Sequence, residues 1–242
     1  MKYERLGIDI KDCPGIGDKI QFTSMPENYF KTFGKKMVDV NCEWVFDHNP
    51  FVIRGVEADS ILKPWAQFHP SPKHYTWRSL AERNAQYMKA TVFLRHPRLY
   101  RFEDLKQTEI VVHTTGKSQG FMPEHVLSHI RKAYPNAIQV GAKSDVTLGT
   151  HDWRGAEFWD VIKIIAQARV FIGVDSSLSW IAACYPKTWN KKLLAQYTDE
   201  EKLENYTPMI PYAPHSHWHD TTASYYNVFE RDVGFTYSYL KL

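Results

Sequence analysis

The sequence predicts an α/β fold organised around a parallel sheet, and three observations carry the prediction. Between Thr108 and Pro186 short apolar runs alternate with longer helical stretches in the order EIVVHTT, PEHVLSHIRKAY, AIQVGA, GAEFWDVIKIIAQA, RVFIGVD and SLSWIAACY, a βαβα pattern. Within it, Val126, Leu127, Ile130 and Ala133 recur at helical spacing, and so do Phe158, Val161, Ile162, Ile165 and Ala168. Finally, Ala168 to Pro186 reads as a buried strand ending at Asp175 and a helix opening over Ser176 and Ser177. Such a helix start leaves backbone N–H groups and a positive dipole end facing whatever sits there, commonly a phosphate.

The elements follow in order. A first strand leads to the loop Cys13-Pro14-Gly15-Ile16-Gly17-Asp18 and a helical stretch, KIQFTSMPENYFKTF, ending near Phe33, with a kink expected at Pro26. A second strand is expected over MVDVNCEWVF and a helix over WRSLAERNAQYMKA. The segment RHPRLYRFEDLKQ reads as a linker, because HPR disfavours helix and a fresh strand begins near Glu109. A boundary near residue 105 therefore separates a domain 1–105 from a domain 106–242. In the second domain Pro123 suits the first turn of a helix and Glu124 its positive end. The tail from Thr207 to Leu242 is rich in Pro, His, Tyr and Ser without a strong period, and no internal repeat is present.

Composition narrows the classes. The 242 residues are 43% hydrophobic and 14% aromatic, enough for a substantial core. Thirty basic and 27 acidic residues give a formal charge of +3, spread along the chain without the arginine or lysine stripe of a phosphate-backbone reader. Nucleic acid is not an expected partner. The three cysteines, Cys13, Cys42 and Cys184, show neither CxxC spacing nor a paired framework, which fits a reducing cytoplasm. The start MKYERLGIDIKD carries charges where a signal peptide needs an apolar stretch, so a secreted protein is not expected, and no apolar window approaches the ~18 residues of a membrane span.

The loops carry the chemistry. In GIGD the two glycines allow close backbone approach, and Asp18 reads either as the helix N-cap or as a general base. A third glycine is missing where Ile20 stands, so the loop is no dinucleotide fingerprint. HTTGKS lacks the first glycine of a Walker loop, Val111 standing there, and Lys117 in a strand-to-helix loop either suits a phosphate or is a solvated lysine of a flexible loop. Lys143 and Asp145, in GAKSD after the next strand, suit a ribose or base, or are surface turn residues. Three such loops converge beyond the carboxyl ends of strands, where ligands of open α/β sheets bind. His215, His217 and His219 alternate in PHSHWHD and read as loop or interface rather than metal ligands, and no DxD pair is present to hold a divalent cation.

Taken together, GIGD before a helix, HTTGK after a central strand, VGAKSD after the next and FIGVDSSLSWIAACYP near the end resemble glycosyltransferase family 9, the heptosyltransferase-like enzymes. The resemblance implies two Rossmann-like domains facing a cleft, the GT-B architecture, with an abbreviated N-terminal, acceptor-side domain and a tail that crosses back to it. It implies Asp18 as catalytic base and Lys117 as the phosphate-binding lysine. Gly17, Thr114 and Thr115 would belong to the donor site, Asp175, Ser176, Ser177 and Leu178 to the phosphate-facing helix start, and Lys143 and Asp145 to the nucleoside end. The chain departs from the family pattern at Ser177, where glycine is common, and at Trp180, where histidine is common.

The implied reaction is an inverting, metal-independent transfer of a heptose or hexose-like unit from a nucleoside-diphosphate sugar to a hydroxyl of a bacterial surface glycan such as lipopolysaccharide core or capsule. The nucleotide sugar is a substrate and no cofactor is expected. The implied place is the cytoplasm, with peripheral contact at the inner membrane. Two other readings remain open from the residues: a nucleotide-sugar epimerase, which would convert donor alone, and a non-catalytic nucleotide-sugar or glycan-binding module.

Overall fold

The computed structural model describes residues 5–65, 88–91, 97–106, 108–116, 120–122, 124–174, 176–185 and 192–193. Most of the helix expected over 77–90, together with Lys117, Pro123, Asp175 and the histidine-rich tail, lies outside the described residues. The chain divides into two compact units, Met1–Glu103 and Asp104–Leu242. Both are mixed α/β with parallel sheets.

In the first unit β1 (Leu6–Ile8) leads into α1 (Ile16–Ile20) and α2 (Met25–Phe33), followed by β2 (Met37–Asp39), a 3-10 turn (Trp44–Phe46), β3 (Val52–Ile53) and β4 (Ser60–Leu62). Among the described residues these strands form a parallel sheet in the order β3-β2-β1-β4, with Gly7 opposite Val38 on one side and Ile61 on the other. Ile20, Phe22, Met25 and Tyr29 fill the space beneath the helices and are fully buried.

Two expectations are corrected here. Pro26 does not kink one long helix. It stands in the first turn of a second helix, where its missing N–H has no intrahelical partner to lose. The strand expected over MVDVNCEWVF stops at Asp39 and gives way to the 3-10 turn. The reversal is fixed by the Arg54 guanidinium, which donates to Asp39 at 2.8 Å, to Asp47 at 2.9 Å and to the Glu43 carbonyl at 2.6 Å.

In the second unit β5 (Glu109–His113) is followed by a short antiparallel hairpin, β6 (Thr115–Gly116) against β7 (Gly120–Phe121). Then come α3 (Glu124–Ala133), β8 (Ile138–Val140), β9 (His151–Asp152), α4 (Phe158–Ala166), β10 (Ala168–Gly173), α5 (Ser177–Ala183) and β11 (Lys192–Leu193). The sheet among the described residues is parallel throughout, in the order β11-β10-β5-β8-β9. Its central strands β5, β8 and β10 are largely apolar on both faces because both are covered. Val112, Val170, Ile172, Leu127 and Ile130 pack together on one face. On α4, Val161, Ile162 and Ile165 are buried, and each such side chain removed from water contributes roughly 1.5–3 kcal/mol. Ala168, counted with the α4 period in the sequence, instead opens β10.

The Thr108–Pro186 segment therefore carries the strands and helices expected of it, with two additions. The hairpin β6/β7 stands where an open strand-to-helix loop was expected, and the edge strand β9 has only two exposed residues. Of the described residues, no helix is long and apolar enough to cross a membrane.

Candidate functional site

The loops after β5, β8 and β10 meet at one end of the second sheet, where they enclose a pocket of about 670 Å³. Three adjacent parallel strands must end on the same side, so their following loops are neighbours however distant in sequence. His113 and Thr115 line the pocket from the first loop, Gly141, Ala142, Ser144 and Asp145 from the second, and Ser176, Ser177 and Leu178 from the third. Ala156, Phe158 and Val161 supply an apolar wall.

The second loop is shaped by glycine. Gly141 sits at φ +134°, and a Cβ built there would stand 2.1 Å from Asp145 Oδ2 and 2.9 Å from the His113 ring. With that space empty, Asp145 turns back to accept the Ala142 N–H at 2.9 Å, and the same oxygen lies 3.4 Å from His113 Nε2. The opposite ring nitrogen, Nδ1, lies 3.0 Å from Ser176 Oγ. Ser176 has extended backbone angles and caps α5, accepting the Ser179 N–H at 3.4 Å. Asp145, His113 and Ser176 thus form one line of polar contacts across three loops, a hydrogen bond between His113 and Ser176 and a close approach of the Asp145 carboxylate to the ring, with the His113 and Asp145 side chains 7% and 9% exposed.

Below the pocket Gln139 braces the loop. Its amide donates to Thr114 Oγ1 at 3.0 Å and to the Val146 carbonyl at 2.7 Å, and its carbonyl accepts the Leu148 N–H at 2.6 Å. Thr115 accepts the Val146 N–H at 3.0 Å. From the other end of the loop, Arg131 on α3 donates to the Leu148 carbonyl at 2.7 Å.

The sequence-derived candidates fall into three groups. Thr115, Asp145, Ser176, Ser177 and Leu178 line the pocket together. Thr114 does not: it is fully buried, and its hydroxyl donates to the Val146 carbonyl at 2.6 Å. Successive strand residues face opposite ways, so two neighbouring threonines at a strand end do not both line one cavity. Lys143 points outward with a 75% exposed side chain and pairs with Asp152 at 3.5 Å. Asp152 is held well below the usual carboxylate range by hydrogen bonds from the Arg154 side chain and backbone. Lys117 and Asp175 lie outside the described residues.

Gly17 and Asp18 belong to the first unit, in α1. The N-cap of α1 is Gly15 rather than Asp18, which occupies the first turn and is half-buried. A Cβ on Gly15 would come within 2.9 Å of Asp18 Oδ2, so the carboxylate folds back over the helix start. Nearby, burial pushes the Cys13 thiol up to about 12, with the Asp18 charge adding to the rise. Lys19 is committed to Glu43 at 2.7 Å.

His113 is the residue that sequence reasoning quoted within HTTGK without assigning. Its signal was present: it is the sole polar side chain after Glu109 in an otherwise apolar strand, at the carboxyl end.

No family model and no curated protein matches the chain. Solved structures do. The iron-containing dodecameric glycosyltransferase TibC from enterotoxigenic E. coli H10407 superposes with a TM-score of 0.57 at 14% identity, over 78% of this chain and 57% of that one. The dodecameric iron-containing heptosyltransferase TibC in complex with ADP-D-beta-D-heptose superposes at 0.58 with 12% identity, over 81% of this chain and 58% of the other. What this chain shares with them is the fold. This chain spans less than three-fifths of the length of those neighbours. Among the described residues, no group of three or more His, Cys, Asp or Glu side chains is placed to hold a metal ion.

Proposed function

We propose that the chain is an inverting glycosyltransferase of GT-B type, heptosyltransferase-like, whose second unit holds a nucleoside-diphosphate sugar in the 670 Å³ pocket. One observation carries the reading: Thr115, Asp145, Ser176, Ser177 and Leu178, picked out from separate loops of the sequence, line a single cavity at the carboxyl ends of β5, β8 and β10. The fold shared with TibC, one structure of which contains ADP-heptose, supports the same ligand class.

In this reading the hydroxyls of Thr115 and Ser177 face the diphosphate, and Lys117 adds a positive charge as the leaving group gains negative charge. The apolar wall of Ala156, Phe158 and Val161 receives the uncharged part of the donor. Asp18 serves as the base. A sugar hydroxyl is a weak nucleophile at neutral pH, and a positioned carboxylate removes its proton as the bond to the anomeric carbon forms. The nucleoside diphosphate departs from the opposite face, which inverts the anomeric centre. The acceptor is a hydroxyl of a surface glycan or glycolipid, met at the cytoplasmic face of the inner membrane.

Calorimetric titration against ADP, GDP, UDP and dTDP tests the donor site, with Lys117→Ala and Thr115→Val as controls. Selective binding of one nucleotide, weakened by both substitutions, is the expected result. No binding to any of the four would overturn the donor assignment and leave a glycan-binding module as the reading to pursue.

A further inference from the structure

The Asp145–His113–Ser176 chain has a direction, and the direction decides what the pocket offers a ligand. A carboxylate only accepts hydrogen bonds, so the ring nitrogen facing it, His113 Nε2, carries a hydrogen. In a neutral ring the other nitrogen, Nδ1, is then an acceptor, and the Ser176 hydroxyl 3.0 Å away donates its hydrogen to it. Ser176 Oγ also accepts the Ser179 N–H. What remains of Ser176 toward the pocket is a lone pair, which repels a phosphate oxygen.

Protonation reverses this. With hydrogens on both ring nitrogens, Nδ1 donates to Ser176 Oγ, which still accepts from the Ser179 N–H, and the hydroxyl hydrogen is freed from the ring, with the ligand and Ser179 Oγ, 3.5 Å away, as its acceptors. Every donor and acceptor is then satisfied, and an anion beside the ring favours its cationic form. Around the ring, the β8 loop contributes the Asp145 carboxylate and the β10 loop the Ser176 and Ser179 hydroxyls. Behind Asp145, the Arg154 guanidinium bonds the Asp145 main-chain carbonyl and is paired with Asp152 at 2.8 Å. Gly141 closes the ring's remaining side without a side chain.

We propose that His113 is a positioning residue: it sets the hydrogen that Ser176 presents, so a nucleoside diphosphate entering the pocket takes up one proton at the His113 ring. The inference rests on the donor assignment above. Its consequence is an affinity that falls as pH rises wherever the bound state holds one proton more than the free state, by up to about tenfold per pH unit.

The experiment is calorimetric titration of the full chain with ADP at pH 6.5, 7.5 and 8.5, each in two buffers of different ionisation enthalpy. Wild type is compared with His113→Asn, which places a permanent amide near the Nδ1 position. The wild-type chain is expected to take up close to one proton more than His113→Asn at pH 7.5, and the variant's affinity to follow only the titration of ADP itself. Equal proton uptake in the two proteins, whatever their affinities, would overturn the inference, since a merely structural role moves affinity without moving the linkage. Ring nitrogen chemical shifts of the wild-type histidines, recorded with and without ADP, give a second readout without substitution. One imidazole passing from neutral to doubly protonated is expected, and unchanged rings would overturn the inference. Absence of ADP binding at every pH would instead overturn the donor assignment for adenine nucleotides and the inference with it.

Discussion

Replacing Gly141 with alanine tests the geometry of the pocket most directly. The backbone there, at φ +134°, is one that side chains rarely adopt, and the added methyl would stand 2.1 Å from Asp145 Oδ2. A residue held in such a region costs about 1–3 kcal/mol. The carboxylate must also move, breaking its bond to the Ala142 N–H and withdrawing from His113, which adds roughly 1 kcal/mol for the lost hydrogen bond. The sum is about 2–4 kcal/mol. Gly149→Ala separates the two contributions, because Gly149 has φ +76° with nothing within 4 Å of its would-be Cβ, leaving a conformational cost of roughly 1–2 kcal/mol. Urea unfolding of the two variants beside wild type reads both numbers, and nucleotide titration reads the pocket. Gly141→Ala is expected to lose more stability than Gly149→Ala and, unlike it, to weaken binding. Equal losses with binding intact would refute the argument that Asp145 is held in place by the absence of a side chain at 141.

Asp18→Asn is expected to leave nucleotide binding near wild type while turnover falls on the order of a hundredfold or more; unchanged turnover in a coupled nucleotide-release assay would remove Asp18 from the base role. Glu27 provides a pH prediction. Burial pushes its carboxyl up, but hydrogen bonds from Lys31 and Tyr100 and the Arg98 charge outweigh burial and bring it below its ordinary 4.5. Its contribution to stability is therefore present above about pH 4.5 and lost as pH falls through the lower folded value, so Glu27→Gln should flatten the acid limb of a stability–pH curve below about pH 4.5. For the thiols, Cys42 is exposed whereas Cys13 and Cys184 are buried, and burial raises the Cys13 thiol to about 12. A thiol reagent at pH 8 should modify one cysteine rapidly, and Cys42→Ser should abolish that phase; a fast phase surviving in the variant would contradict the burial of the other two.

The legible and illegible parts of the chain differ for physical reasons. EIVVH, AIQV and RVFIGV were readable because a strand covered on both faces needs an unbroken apolar run, and α4 because Val161, Ile162 and Ile165 repeat on one helical face. β9 left no such trace: His151 and Asp152 are exposed, and their strand geometry comes from hydrogen bonding to the edge of β8. Strands of two or three residues in the first sheet are likewise too short to show a period. At the pocket, position after a strand was enough to nominate Asp145 and Ser176, and the family resemblance added Thr115. The orientation of a given side chain was not readable, and Thr114 turned into the core while Lys143 turned to solvent. The Asp145–His113–Ser176 chain joins residues 113, 145 and 176, a proximity that depends on the strand order β10-β5-β8 and leaves no mark in any one segment.

Gln139 has a consequence for how the pocket meets a ligand. One buried amide holds Thr114, Val146 and Leu148 at once, so the loop carrying Ala142, Ser144 and Asp145 is hung from the sheet before anything arrives. Little chain freedom remains there to be surrendered on association, and the free energy of contact is not spent on ordering the wall that makes it. Residues at the loop's tip are correspondingly free to vary. Exchanging Ser144, which lines the pocket, would retune which ligand is chosen without disturbing the frame, in the way a bit is changed in a fixed chuck.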